Sequence, residues 1–161
     1  LVLSTLHTND AASSIIRMTN MGLEPFLITA SVLMVSAQRL VRKLCLQCRE
    51  PYTPPSVLIQ ELHLSTDRKY TFYKPAECNL CRHTGYSGRS VITEVLALTP
   101  EINKLIVSEA IADVIKSTAR HSGMTTLRES GVRKVVAGVT SLEEIYRVTM
   151  PDPNIGKTLE P

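Results

Sequence analysis

All four cysteines of the 161-residue chain lie in two short motifs, Cys-Leu-Gln-Cys at residues 45–48 and Cys-Asn-Leu-Cys at residues 78–81. Each motif places two sulfur atoms on one turn, and two such turns supply the four thiolates that Zn²⁺ prefers in a tetrahedral shell. The alternatives are a redox pair, which needs only one CxxC at a strand-to-helix junction, disulfide bonds, which need an oxidising compartment, and unliganded thiols. We expect Cys45, Cys48, Cys78 and Cys81 to bind one zinc ion.

Such a metal site has a structural rather than a catalytic role. With four protein ligands it has no open coordination position for a substrate or a water molecule. Four thiolates on Zn²⁺ leave a formal charge of −2, and nearby basic residues are expected to offset part of it. These basic residues are Arg42, Lys43, Arg49 and Arg82.

The start of the chain predicts an α/β unit. Leu1–Leu6 has the length and apolar character of a buried parallel strand. Thr8, Asn9 and Asp10 are suited to cap a helix that ends at Gly22. A chain that opens on a core strand without a methionine resembles a fragment.

His7 directly follows this predicted strand. Open α/β sheets bind their ligands at the carboxyl edge of the strands, so His7 is a candidate site residue. The alternative is a loop histidine that hydrogen-bonds the backbone. We interpret the other three histidines, His63, His83 and His121, as surface or locally hydrogen-bonded residues.

The middle of the chain predicts a long helix followed by a loop-rich lobe. Pro25 begins the helix, and apolar residues at helical spacing extend it to Leu44 with a basic last turn. Prolines then exclude any long element before Cys81, apart from a short helix near residues 57–62. The segment SVITEVLAL, residues 90–98, has the β-branched content of a strand.

The last third predicts helices with clear boundaries. Thr99 and Pro100 begin a helix, and Gly123 marks a helix end. Two capping-box patterns, Thr126 with Glu129 and Ser141 with Glu144, begin two more helices, the first of which ends at Gly138. We expect the proline-rich residues 151–161 to be a disordered tail.

Composition excludes some functions. The 18 basic and 15 acidic side chains give a net charge of +3, which offers little attraction for nucleic acid. The longest charge-free apolar run, residues 25–38, is shorter than the roughly 20 residues that span a bilayer. The first residues also lack the pattern of a signal peptide.

Four stretches together resemble a known family. LVLSTLHTNDA, AQRLVRKLCLQC, CNLCRHTGYSGR and GMTTLRESGVRKVVAGVTSLEEIYRVT occur in the order found in the C-terminal half of the assembly ATPases of type II secretion and type IV pilus systems. The resemblance runs from Leu1 to Met150. It implies a cytoplasmic, hexameric P-loop motor of RecA-like fold that hydrolyses ATP, with Mg²⁺, to drive pseudopilus or pilus assembly. Such a motor associates peripherally with the inner membrane through platform proteins.

The resemblance also assigns roles to single residues. His7 lies in the histidine box and matches a residue near the terminal phosphate of the nucleotide, where it senses or assists hydrolysis. Arg89, in TGYSGR, and Arg17, in the helix after the box, match functional arginines of the nucleotide-binding region. The four cysteines match the tetracysteine zinc lobe of the assembly and secretion branch.

The chain also departs from the family. It lacks the G-x-x-x-x-G-K-[ST] loop that holds phosphate and magnesium, and Gly156-Lys157 has no glycine at the required spacing. The acidic Walker B residues, which precede the histidine box in the family, are missing too. We therefore expect the chain alone to be inactive as an ATPase.

These observations divide the chain into five segments. They are the end of a RecA-like core at 1–44, the zinc lobe at 45–81, a return to the core at 82–98, a helical region at 99–150 and the tail at 151–161. The fold expected is α/β, the C-terminal portion of a RecA-like P-loop NTPase. A non-catalytic zinc-binding interaction or scaffold module is the alternative function.

Overall fold

The computed structural model of the chain describes residues 1–152 and has a mixed α/β fold. From residue 153 onward, the tail predicted to be disordered lies outside the described residues. The chain divides into two compact units, each formed from two stretches of sequence. The first contains residues 1–38 and 93–127, and the second contains residues 39–92 and 128–161.

The described residues form seven α-helices and four strands. The helices are α1 Ala11–Asn20, α2 Pro25–Ser31, α3 Ser56–Glu61, α4 Pro100–Val107, α5 Ala112–His121, α6 Leu127–Val136 and α7 Leu142–Val148. The strands are β1 Met34–Leu44, β2 Glu50–Tyr52, β3 Phe72–Lys74 and β4 Tyr86–Ala97. β1 pairs with β4 and β2 pairs with β3, which gives two sheets of two strands each.

The first unit is built mainly from helices around an apolar core. Asp10 caps α1 by accepting a hydrogen bond of 2.8 Å from the Ser13 N–H, as the sequence predicted. Thr99 caps α4 in the same way. The core contains aliphatic and alanine side chains from α1, α2, β4, α4 and α5, namely Ala11, Ala12, Ile15, Ile28, Leu96, Ile102, Ile106, Ile115 and Ala119.

The predicted first strand is wrong. Residues 1–8 have no regular structure, and the side chains of Leu1, Val2 and Leu3 are almost fully exposed. A parallel strand requires a neighbouring strand that accepts and donates its backbone hydrogen bonds. Within residues 1–152 no strand pairs with this segment, so its apolar character alone does not make it a strand.

The predicted long helix from Pro25 to Leu44 is also wrong. α2 ends at Ser31, and the backbone is extended at Val32 before β1 begins at Met34. Leu33 and Leu40, two of the apolar residues at helical spacing in this segment, are more than half exposed. The segment also fits the two-residue period of a strand, and pairing with β4 satisfies the backbone groups along one of its edges.

The second unit contains the small β2–β3 sheet and three helices. β2 and β3 are antiparallel, with Pro51 opposite Tyr73 and Tyr52 opposite Phe72. The Phe72 ring is fully buried and contacts the Tyr52 ring edge-on, with the ring centroids 6.1 Å apart. The predicted short helix near residues 57–62 is present as α3.

The boundaries of the last two helices follow the prediction closely. α6 begins directly after Thr126 and ends shortly before Gly138, which has a φ of +69°. Ser141 caps α7 and accepts the Glu144 N–H at 3.2 Å. The Glu144 carboxylate does not complete the capping box, because it accepts hydrogen bonds from two arginines instead.

Candidate metal centre and flanking polar sites

The two CxxC motifs meet in the second unit. The Sγ atoms of Cys45, Cys48, Cys78 and Cys81 all lie within 4.8 Å of one another. Three of the six separations are 3.9 Å between Cys45 and Cys78, 3.8 Å between Cys48 and Cys81, and 3.6 Å between Cys78 and Cys81. The structure therefore brings together all four predicted ligands.

These separations fit a tetrahedral metal site. Four sulfur atoms about 2.3 Å from a central ion lie about 3.8 Å apart. A disulfide requires about 2.05 Å, and the four cysteines are free thiols in this structure. A redox motif uses only two cysteines, whereas here four sulfur atoms form one cluster. The arrangement can bind one metal ion.

The second motif is held by turns at its C-terminal side. The Gly85 N–H donates to the Cys81 Sγ at 3.2 Å, and the Gly85 carbonyl accepts from the Cys45 N–H at 2.9 Å. Gly85 has a φ of +74°, and a Cβ there would lie 2.4 Å from the Pro75 Cβ. Only glycine fits this position, which links the two motifs.

The thiol groups of Cys48 and Cys81 differ strongly in pKa. Burial raises the pKa of the Cys48 thiol, and hydrogen bonds among the cysteines raise it further, to about 12. Burial also acts to raise the pKa of Cys81, but hydrogen bonds with the backbone at Cys78 and Gly85 and with the Cys78 and Cys48 side chains together outweigh it and lower the pKa to about 6. Cys81 therefore forms a thiolate more readily than Cys48. Its negative charge opposes the ionisation of a second thiol beside it, unless a bound cation compensates both charges.

Two of the basic residues expected to offset the sulfur charge make their hydrogen bonds elsewhere. Arg49 donates to the Gly138 carbonyl and stacks over the Tyr73 ring, 4.2 Å from its centroid. Arg42 donates to Glu144. Their guanidinium groups thus join other parts of the second unit.

Three further residues were predicted at a nucleotide site. His7 and Arg17 are in the first unit, His7 in the irregular segment 1–8 and Arg17 on α1, and both are exposed. Arg89 is exposed on β4, in the second unit. Within residues 1–152 no hydrogen bond or ion pair joins these three side chains, and their roles stay predictions.

Arg17 lines an open cleft of about 430 Å³ in the first unit. One wall is α1 with the residues before it, and the other is the segment between α4 and α5. The lining residues are Thr8, Asn9, Ser13, Ile16, Arg17, Asn20 and Glu109–Ala112. Thr8, the residue that follows His7 in the sequence, is thus one of the lining residues.

A buried cluster of charged residues lies at the base of α1. The Glu94 side chain on β4 is 1% exposed and accepts the Ala11 N–H at 2.9 Å and the Leu127 N–H at 3.1 Å. Lys116 on α5 approaches Asp10, with 3.5 Å between Nζ and Oδ2. Burial raises the pKa of Glu94, although the two N–H groups and Lys116 act to lower it. The prediction from the sequence did not include this cluster.

A second unpredicted cluster surrounds Glu144 in the second unit. Its fully buried carboxylate accepts from Arg42 at 2.9 and 2.7 Å and from Arg147 at 2.9 and 2.7 Å, and it also accepts the Arg42 backbone N–H at 3.0 Å. Burial acts to raise the pKa of Glu144, but the two arginines outweigh it and lower the pKa to about 2. The Arg42 guanidinium also stacks on the Tyr86 ring, 4.0 Å from its centroid.

The remaining histidines behave as predicted where the structure gives them contacts. His83 lies 3.7 Å from the exposed carboxylate of Glu77, and His121 hydrogen-bonds the Ser117 carbonyl at 2.9 Å. Among residues 1–152 no helix has the length and apolar character that crossing a membrane requires.

Comparison with known proteins places the chain among secretion proteins. The sequence model of the Type II/IV secretion system protein family matches residues 1–147. The chain is 45% identical over 153 residues to the type IV pilus assembly ATPase PilB of Acinetobacter baylyi, and the alignment covers 92% of the chain and 26% of that protein. It is 42% identical over 151 residues to the type II secretion system ATPase E of Vibrio cholerae, and this alignment covers 92% of the chain and 29% of that protein.

The chain thus spans 26% to 29% of the length of these two relatives. His7, Arg17, Arg89 and the tetracysteine segment lie within the matched residues 1–147. Because a family match of this extent covers far more than half of the chain, the chain belongs to the family of Type II/IV secretion system proteins.

Proposed function

We propose that the chain is the C-terminal part of a hexameric ATPase that powers pseudopilus or pilus assembly and protein secretion by ATP hydrolysis. The observation that carries this proposal is the identity of more than 40%, over 92% of the chain, to proteins named as type IV pilus assembly and type II secretion ATPases. The motif order in the sequence, from the histidine box to TSLEE, supports the same function.

In this proposal the chain supplies only part of a RecA-like active site. ATP and Mg²⁺ are bound by a phosphate-binding loop and acidic residues that lie upstream of the matched region. The chain has neither motif and on this proposal does not hydrolyse ATP alone.

We assign the catalytic role of the chain to His7, near the terminal phosphate, and nucleotide-binding roles to Arg17 and Arg89. All three side chains are exposed and thus accessible to a ligand or to another part of the protein. Arginine and histidine suit this role because both donate hydrogen bonds to phosphate oxygens.

We assign a structural zinc ion to Cys45, Cys48, Cys78 and Cys81. The fit of the sulfur separations to a tetrahedron with an edge of about 3.8 Å supports this metal, as does the choice of four thiolates. Zinc would cross-link two segments about thirty residues apart and so order the polypeptide between them.

The protein acts at the cytoplasmic side of the inner membrane in this proposal. There it forms homo-hexamers and binds the platform proteins of the secretion or pilus system, and it has no nucleic-acid partner. The nearly balanced charge of the chain agrees with a protein rather than a nucleic-acid partner.

Steady-state ATP hydrolysis by the full-length gene product tests the proposal. We expect Mg²⁺-dependent turnover in the full-length protein and none in residues 1–161. His7→Ala should lower kcat while the binding of a fluorescent ATP analogue persists, and His121→Ala, which alters an exposed histidine on α5, serves as the control. A full-length protein with an intact phosphate-binding loop and no turnover in assembled hexamers would refute the motor function.

The second candidate is a non-catalytic scaffold that uses the zinc lobe for protein binding. The four-ligand metal site favours it, because this site has no catalytic position of its own. A gene product without an upstream phosphate-binding loop that still supports pilus or pseudopilus assembly would establish this alternative.

A further inference from the structure

We propose that Glu94 is a positioning residue that fixes the loop of residues 7–10, and with it His7, through the first turn of α1. The proposal rests on the proposed ATPase function of the full-length protein. It concerns a residue on β4, far along the sequence from the histidine box, which the structure brings to the base of α1.

The first step is the bond between Glu94 and α1. Oε1 accepts the N–H of Ala11, the first residue of the helix, at 2.9 Å. A carboxylate at this position also interacts favourably with the positive end of the helix dipole. Oε2 accepts the N–H of Leu127 at 3.1 Å, so each carboxylate oxygen has its own backbone donor.

The second step is that the loop is tied to the same turn of the helix. Asp10 accepts the Ser13 N–H at 2.8 Å, and the hydroxyls of Thr8 and Ser14 are 2.7 Å apart. Within residues 1–152 the His7 side chain itself makes no hydrogen bond or ion pair. Its placement therefore depends on the backbone of the loop, and the loop depends on the first turn of α1.

The third step concerns the charges that face Glu94. Lys116 from α5 and Asp10 from the loop both interact with it, and Lys116 also forms the ion pair with Asp10. Glu94 and Lys116 are almost fully buried, so a lost partner would not be replaced by bulk water at low cost. The loop is thus held from α1, β4 and α5 together.

A carboxylate is required at position 94 because both of its oxygen atoms must accept a hydrogen bond from a backbone N–H group. Glutamine has nearly the same shape, but its amide nitrogen can only donate. In Glu94→Gln one of the two backbone N–H groups, at Ala11 or Leu127, would therefore face another donor. In either orientation the substitution also removes the negative charge that faces Lys116 and the first turn of α1, so it disturbs this turn without creating a cavity.

Kinetics of the full-length ATPase test the proposal. We expect Glu94→Gln to lower kcat about tenfold or more, because small misplacement of a catalytic group has effects of this size, while KM for ATP stays within about twofold. Glu101→Gln is the matched control, since it removes the same charge from an exposed position in the first unit. Unchanged kcat in a folded Glu94→Gln protein would overturn the proposal.

A double-mutant cycle with His7→Ala separates positioning from a general loss of stability. If Glu94 acts through His7, then Glu94→Gln lowers kcat by less than about twofold once His7 is alanine. Fully additive effects would overturn the proposal. If Glu94→Gln does not fold, Glu94→Asp replaces it in the same cycle, because a side chain one methylene shorter cannot reach both N–H groups.

The same measurements distinguish the two proposals. A wild-type full-length protein without ATP turnover refutes the proposed function. An active wild-type protein whose turnover is insensitive to Glu94→Gln refutes only the positioning role of Glu94.

Discussion

Glu144→Gln tests how strongly a buried carboxylate holds α7 in the second unit. In the wild type this carboxylate accepts five hydrogen bonds from Arg42 and Arg147, one of them from a backbone N–H. Glutamine keeps the volume of the side chain but removes the charge and one of the two acceptor atoms. We expect faster hydrogen exchange at the backbone amides of α7.

The pKa gives the size of the effect. Lowering the pKa of Glu144 from 4.5 to about 2 corresponds to about 3.4 kcal/mol between the ionised and protonated forms. The Arg42 and Arg147 side chains are 43% and 57% exposed, so solvent screening reduces this to about 1.5–2 kcal/mol. Exchange protection in α7 should therefore fall about 10- to 30-fold at pH 7.

The pH dependence has a defined sign. Because the folded-state pKa of Glu144 lies below its unfolded value, this stabilisation is complete above pH 4.5 and is lost as the pH falls towards 2. Protection factors corrected for intrinsic exchange should show this loss in the wild type and not in Glu144→Gln. Glu143→Gln, one residue earlier and exposed, is the control. Equal protection in the two variants at pH 7 would refute the reasoning.

Three further predictions concern the metal lobe and the packing of α6. The purified protein should contain about one zinc per chain by elemental analysis, and Cys45→Ser should lower both the zinc content and the melting temperature. A folded wild-type protein without metal would contradict this prediction. Gly85→Ala should destabilise the lobe in thermal melts by at least about 1 kcal/mol more than Gly88→Ala, because both glycines have positive φ but only a Cβ at Gly85 meets backbone and a proline ring. Gly131→Ala should lower the free energy of unfolding in urea by about 1–3 kcal/mol, because the added Cβ would lie 2.8 Å from the Ile145 side chain. Ile145→Val in the same chain should recover part of this loss. No recovery would contradict the steric explanation.

Local chemistry made some features predictable from the sequence. Helix caps depend on residues a few positions apart, and Asp10, Thr99 and Ser141 cap their helices as predicted. The cysteines could be grouped because two CxxC turns each bring a preformed pair of sulfur atoms, and the intervening length matters little.

Long-range pairing made other features unpredictable. Residues 34–44 fit both a helical and a strand period, and the choice depends on β4, about fifty residues away. Leu1–Leu6 has a strand-like sequence, but a strand also needs a partner, which its own residues do not encode.

The sequence pattern indicated that Glu94 and Glu144 have special roles. It did not indicate which groups donate hydrogen bonds to their carboxylates. Glu94 lies two residues from Ile92 and two from Leu96, so the strand period alone places it on the buried face, where a carboxylate requires donors. Glu144 stands at the capping-box position, but its carboxylate binds two arginines rather than the backbone at Ser141. A charged residue at a buried position of a strand or helix therefore indicates that distant donors converge on it. In this chain such donors are the first N–H groups of α1 and α6 for Glu94, and Arg42 and Arg147 for Glu144.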